Sequence, residues 1–222
     1  MKKRDLRIER EQHRREENKT YILNAAESVF AKKGFSFATM DDIAEDAQFS
    51  KATIYHYFKS KKEIFFEIMS ESLDEMNSEL MSIQKEKTSA AKKLKEIVRF
   101  TFDFFERKQN IYRIFLMERE FMQKFFSFIE EKQKPASSKR GLEYIKNYNV
   151  KKKVLVDVLH RILEEGMKSG EFRKMDVTDT ATAFTSLVHG FYFTRFWREK
   201  KYDLEECTNL IYSIFLGGIK KA

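Results

Sequence analysis

The chain has 222 residues, with 43 Lys and Arg against 35 Asp and Glu, a formal net charge of +8. That length can bury a substantial core, and the positive balance suits a polyanionic partner. The single cysteine, Cys207, excludes an intramolecular disulfide and a Cys-rich zinc site.

A reducing, cytoplasmic setting is the simplest expectation for such cysteine usage. The charged N-terminal stretch has no signal-peptide pattern, and no run approaches the roughly 20 apolar residues of a membrane span, so no membrane partner is expected. Seven glycines and one proline are few chain breakers. With the Leu, Lys, Glu and Ala periodicity they predict an all-α fold.

Residues 1–17, MKKRDLRIEREQHRREE, are almost all charged and lack an apolar face. A solvated tail is the first expectation. A helical extension of the next element, or a basic arm on nucleic acid carried by Lys2, Lys3, Arg4 and Arg7, are the alternatives. From Asn18 to Lys33 the residues Ile22, Leu23, Ala26, Val29 and Phe30 form one helical stripe. Lys32, Lys33 and Gly34 end it, with cations at the carbonyl end and glycine at the left-handed cap. Phe35 and Phe37 carry the chain onward.

Thr39 to Ile64, TMDDIAEDAQFSKATIYHYFKSKKEI, packs three helix starts into a short stretch. Thr39 with Asp42 is a capping-box-like opening. Ile43, Ala44 and Ala47 give one apolar face of about two turns. Gln48-Phe49-Ser50 interrupts the period, and Ser50 caps a second short helix, Lys51 to Phe58. There Ala52, Ile54 and Phe58 are expected inward, and Lys51, Thr53, Tyr55, His56 and Tyr57 outward. Consecutive helical residues diverge by about 100°, so Tyr55, His56 and Tyr57 cannot share one core face. Ser60 and Glu63 open the third helix. Two short helices joined by a tight turn, the second bearing hydroxyls and positive charge, form a helix-turn-helix pattern.

FSKATIYHYFKSKKEI, preceded by YILNAAESVFAKKGFSFATMDDIAEDA, resembles the DNA-binding signature of TetR-type (AcrR-like) transcriptional regulators over roughly residues 18–66. Two departures stand out. Gln48 lies where the family often has Gly, so the turn must hold a non-Gly residue in a tight conformation. Asp41 lies where some members present a basic or neutral side chain to a base. The expected DNA-contacting set is Thr39, Ser50, Lys51, Thr53, Tyr55, His56, Tyr57 and Lys61, with Lys61 meeting a phosphate at the start of the third helix.

That third helix keeps its spacing from Ile64 to Ile83, over twenty residues, or about 30 Å at 1.5 Å per residue. Five further helices are predicted at about 89–106, 110–131, 141–168, 177–200 and 204–219, with Asp176 and Asp203 as candidate N-caps. Lys132 to Lys139, containing Pro135, is a loop. The domain expectation is a charged extension (1–17), a three-helix DNA-binding domain (18–60), and a helical ligand-binding and dimerisation domain (61–222).

Twenty-two phenylalanines are many. Phenylalanine at helical spacing ordinarily packs a core. The resemblance implies instead that some rings line a cavity for an apolar effector. Its candidate liners are Phe66, Met69, Phe104, Tyr112, Phe115, Phe121, Phe184, His189 and Phe193, and a fatty acyl chain suits a lining rich in rings and poor in acids. The last two helices are apolar on more than one side. The resemblance implies a homodimer there, with Phe184, Phe191, Trp197, Leu210 and Ile214 at the interface and Gly217 and Gly218 permitting close approach.

The four histidines have no metal-ligand spacing, and no phosphate loop, nucleophile motif or catalytic acid pair is present. No metal, cofactor or enzymatic activity is expected. The resulting expectation is a ligand-responsive repressor that binds a palindromic operator as a homodimer and is released by a hydrophobic effector. The rivals are a constitutive DNA-binding protein with a packed second lobe, and a protein-interaction module keeping the motif as scaffold.

Overall fold

The structure, a computed structural model, describes residues 3–111, 139–194 and 202–220. Among them are eight helices: α1 (Lys3–Lys33), α2 (Met40–Asp46), α3 (Lys51–Tyr57), α4 (Lys61–Lys85), α5 (Ala90–Arg107), α6 (Lys139–Ser169), α7 (Val177–Thr194) and α8 (Leu204–Ile219). The fold is all-α, as expected. The predicted helix at 110–131 and the loop around Pro135 lie outside the described residues, apart from the first residues of that helix.

Residues 3–17 do not separate from the first helix: α1 is continuous from Lys3. The extension alternative therefore replaces the tail. A stretch without an apolar face can remain helical through good helix formers and pairs such as Arg7–Glu11, 3.1 Å apart at i,i+4.

The short helices are set by their caps. Thr39 Oγ1 accepts from Asp42 N at 3.1 Å, and Asp42 Oδ2 accepts from Thr39 N at 3.0 Å, a complete capping box. Ser50 Oγ accepts from Thr53 N at 3.1 Å. Between them Gln48 sits at φ 56°, the left-handed conformation required of that turn. The third opening differs in detail. Ser60 Oγ accepts from Glu63 N at 3.3 Å, but the Glu63 carboxylate reaches Lys59 N rather than Ser60 N. Asp203 and Glu206 form a full capping box at α8.

The chain divides into two compact units, Met1–Glu71 with Asn110–Tyr148, and Ser72–Gln109 with Asn149–Ala222. The division falls within α4, beyond Lys61, where the sequence reading begins its second domain. In the first unit, Ile22, Ile43, Ile54 and Ile64 are completely buried around the mutually packed rings of Phe30, Phe35 and Phe65. In the second, α5 packs against α7 and α8. Phe102, Phe104, Phe105 and Tyr192 are buried there, and the Tyr192 hydroxyl donates to the Phe105 carbonyl at 2.9 Å.

One corner of the second unit gathers several chain segments. Gly170, at φ 80°, turns the chain after α6. The Glu171 carboxylate then accepts from the N–H groups of Ala90 and Ala91 at the start of α5. Phe172 seats its ring against Gly166, where a Cβ would lie 2.2 Å from two ring carbons. Arg173 N donates to the Ile219 carbonyl at 3.0 Å, closing the corner onto the end of α8.

Candidate nucleic-acid interface

Helices α2 and α3 form a helix-turn-helix on α1 and α4, held from beneath by Ile43, Ile54 and Phe58. Along α3, Lys51, Ala52, Tyr55 and His56 are exposed, and Thr53 and Tyr57 half-buried. Ala52 corrects the sequence reading, which turned it inward. Only Ile54 of α3 is buried, because a seven-residue helix offers the core about one residue per turn. An exposed alanine methyl at this position suits contact with a thymine methyl.

The polar groups expected to meet DNA are held in different ways. Thr39 and Ser50 are exposed but committed to capping, and the Ser50 and Thr53 hydroxyls lie 2.8 Å apart. The Tyr57 hydroxyl accepts from Asn18 Nδ2 of α1 at 3.2 Å, and the His56 ring meets the Tyr57 ring edge-on at 5.5 Å. Tyr55 and His56 therefore leave the helix most openly.

Lys51 donates to Asp41 of α2, and this hydrogen bond raises its ammonium above the ordinary lysine value. Two further acids of α2 are answered from α1. Lys33 lies 2.7 Å from Asp42, and Lys32 lies 3.6 Å from Asp46. The Lys33 hydrogen bond, helped by Thr39, lowers the Asp42 carboxyl below the usual carboxylate range. The two departures in the sequence are thus both accommodated: Gln48 by its φ, and Asp41 by pairing with Lys51.

Lys61 requires a correction. Its ammonium donates to the carbonyls of Phe35, Ser36 and Ala38 at 2.8, 2.9 and 2.8 Å and lies 4.9 Å from the centre of the Phe35 ring. An ammonium has three protons. With all three donated to the α1–α2 loop, Lys61 braces that loop and has none left for a phosphate. Its neighbour Lys62 is exposed. The sequence placed two lysines together, and the 100° between consecutive helical positions decides which one faces outward.

The expected effector residues divide between the units. Phe66 and Met69 are buried in the first, where Phe66 stacks on Tyr144 at 5.9 Å. Phe104 and Phe184 are buried in the second, Phe184 against Phe215 at 4.8 Å. His189 meets the Phe105 ring at 5.2 Å, and burial lowers its imidazole below the ordinary value. Phe193 is half-buried beside Tyr192. Tyr112, Phe115 and Phe121 lie outside the described residues. A cavity of about 110 Å³ in the second unit is lined instead by Phe102, Glu106, Phe191, Tyr192, Tyr202, Asp203, Leu204 and Cys207. It is smaller than the roughly 300–1,000 Å³ of ligand pockets.

Two interface expectations are also corrected. Phe184 and Phe191 face the core of their own unit, Phe191 lying 6.0 Å from the Phe102 ring and 5.6 Å from that of Tyr202. Trp197 lies outside the described residues. Leu210 is half-buried, and Ile214 is 56% exposed. Small exposed residues accompany it along α8, Ser213, Gly217 and Gly218, and another exposed small row runs along α7, Thr182, Ser186 and Gly190. A Cβ added at any of these glycines would meet nothing within 4 Å. The sequence reading, which searched for bulk, passed over the α7 row, although its four-residue spacing was visible.

Among the described residues no cluster could hold a metal ion, and no helix is long and apolar enough to cross a membrane. The fold and the exposed face of α3 define a helix-turn-helix regulatory protein. Residues 22–68 match the family model for bacterial regulatory proteins of the tetR family, and residues 128–221 match that for the QacR-like protein C-terminal region. The chain belongs to the TetR family.

It is 27% identical over 199 residues to a fatty acid metabolism regulator protein of Bacillus subtilis, covering 89% of this chain and 93% of that one. The transcriptional repressor KstR2 of Mycolicibacterium smegmatis is 26% identical over 211 residues, covering 90% of each chain. Among solved structures, FadR from Bacillus subtilis in complex with stearoyl-CoA superposes with a TM-score of 0.71 at 24% identity, covering 90% of this chain and 98% of that one.

Proposed function

We propose that the protein is a ligand-responsive transcriptional repressor that binds a palindromic operator as a homodimer and leaves it on binding a lipophilic effector carrying a fatty acyl group. The observation that carries the DNA-binding part is the outward set on α3, with Lys51, Ala52, Tyr55 and His56 exposed on a helix anchored from beneath by Ile54. These side chains supply a cation, a methyl and two rings with polar tips, the chemistry that meets base edges and backbone in a major groove.

A homodimer is supported by exposed Ile214 on α8 and by the exposed small residues of α7 and α8, which permit close helix approach. It would present two copies of α3, and two-fold symmetry calls for a palindromic site. The fatty acyl class is supported by the B. subtilis relative named a fatty acid metabolism regulator and by the stearoyl-CoA complex of FadR. Release requires that effector bind the DNA-free state more tightly than the DNA-bound state.

The dense packing of Phe104, Phe105, Phe184 and Tyr192 favours a second reading, a constitutive DNA-binding protein without an effector. One experiment separates them. An operator is selected from random duplexes, and its complex is titrated with stearoyl-CoA while anisotropy is followed. Loss of the complex supports the first reading. Unchanged binding across acyl chain lengths supports the second, and failure to select any sequence removes both.

A further inference from the structure

We infer that the N-terminal part of α1 is a second DNA-contacting surface, a helical arm whose Arg7, Arg10 and Arg14 meet backbone phosphates beyond those reached by α3. This inference rests on the DNA-binding reading above and extends it to a part of the chain ahead of the matched family segment, which begins at residue 22.

The register of α1 carries the argument. Asn18 donates to the Tyr57 hydroxyl, which fixes the face of α1 turned toward the helix proposed to enter the groove. Stepping toward the N-terminus by four, four and three residues from Asn18 gives Arg14, Arg10 and Arg7. Positions so spaced lie above one another on a helix. The three guanidinium groups therefore continue the face that begins at Tyr57, within about 60° of arc at 3.6 residues per turn.

By the same count Glu9 and Glu16 fall on the far side of the helix, whereas Glu11 and Glu17 flank the row on either side. The balanced composition of the segment is therefore unevenly arranged: three arginines share one row, with two of the four glutamates at its edges and two behind it. Residues 7–17 are all exposed. Among the described residues, Arg10 and Arg14 make no ion pair, and Arg7 pairs only with Glu11 of its own helix. Exposed helical arginines aligned with a proposed nucleic-acid face, of which Arg7 is held by one exposed glutamate, match phosphate in charge and in bidentate geometry. The occupant is accordingly duplex DNA flanking the operator.

The test uses the full chain on operator duplexes with long and trimmed flanks. Arg10→Ala/Arg14→Ala should reduce the salt slope of binding by about 2 per bound subunit, so that affinity becomes about tenfold less sensitive per subunit to a change from 50 to 200 mM salt. It should also shorten the nuclease footprint, and trimming the flanks should weaken the wild type but not the variant. Arg15→Ala, which removes a charge about 100° away from the row, should leave the footprint unchanged. An unaltered slope and footprint in the double variant, or an equal effect from Arg15→Ala, would overturn the arm. So would a loss confined to binding of vesicles rich in phosphatidylserine. Absence of any operator binding by the wild type would instead reject the underlying DNA-binding reading.

Discussion

Lys51 Nζ lies 2.7 Å from one carboxylate oxygen of Asp41 and 2.9 Å from the other, joining the first residue of α3 to the start of α2. Both side chains are more than half exposed, so the pair adds little to stability. Its effect falls on binding, because an anion beside the leading cation of α3 offsets that cation's attraction for phosphate. Replacing Asp41 with Asn should strengthen binding to random DNA and raise the salt slope by about 1 per subunit. Titrations against random duplex at several salt concentrations check this, and an unchanged slope would mean that Lys51 is not near phosphate in the complex.

Lys61 and Lys62 should separate cleanly when replaced with Met. The Lys61 change leaves three loop carbonyls without their donor and should cost roughly 1–2 kcal/mol of stability, with the partial exposure of the site discounted. Its salt slope should stay at the wild-type value. The Lys62 change should do the reverse, sparing the melting temperature and lowering the slope by about 1 per subunit. Reversed phenotypes would restore Lys61 as the phosphate contact.

Ile214→Asp tests the subunit seam. A carboxylate at an exposed position is harmless in a monomer but costly when a second helix covers it. Sedimentation should show a folded monomer with operator affinity reduced by at least tenfold. A variant that stays dimeric would move the seam away from this part of α8.

His189 gives the second unit a pH dependence of known sign. Burial lowers its folded-state value below the ordinary 6.5, so between the two values the unfolded chain binds more protons. Stability from this residue is therefore present above about pH 6.5 and lost as pH falls below it. The difference in unfolding free energy between wild type and His189→Phe, followed from pH 7.5 to 5, should change in that direction. A flat difference would contradict a buried neutral imidazole.

Gly166→Ala places a Cβ 2.2 Å from the Phe172 ring. The helix gains up to about 1 kcal/mol of propensity from alanine, but overpacking costs about 1–3 kcal/mol. A net fall in melting temperature is expected, with recovery when Phe172 is also reduced to Leu. A more stable single variant would show that the ring moves aside freely.

What could be read from the sequence follows physical range. Thr39, Ser50 and Asp203 announced their helices because a cap acts on N–H groups two or three residues away. Gln48 announced strain only through the resemblance, since the interrupted period marks a turn there and the family's Gly at that position marks its left-handed residue. Lys61 misled because its partners, Phe35 to Ala38, are distant in sequence and near only once Phe35 and Phe65 have packed. Phe184 and Phe191 misled for a related reason: apolar bulk on α7 marks burial without saying whether the covering surface belongs to the same chain. The effector residues show the limit most plainly, since side-chain type alone does not distinguish a ring against a cavity from a ring against another ring.

The corner at Arg173 bears on the order of events during synthesis. Glu171 can cap α5, and Phe172 can settle on Gly166, as soon as those residues have left the ribosome. The bond from Arg173 to Ile219 has to wait until α8 has been made. A nascent chain therefore holds α5 and α6 together through one side of this turn while its other side stays open, and the arrival of α8 closes it.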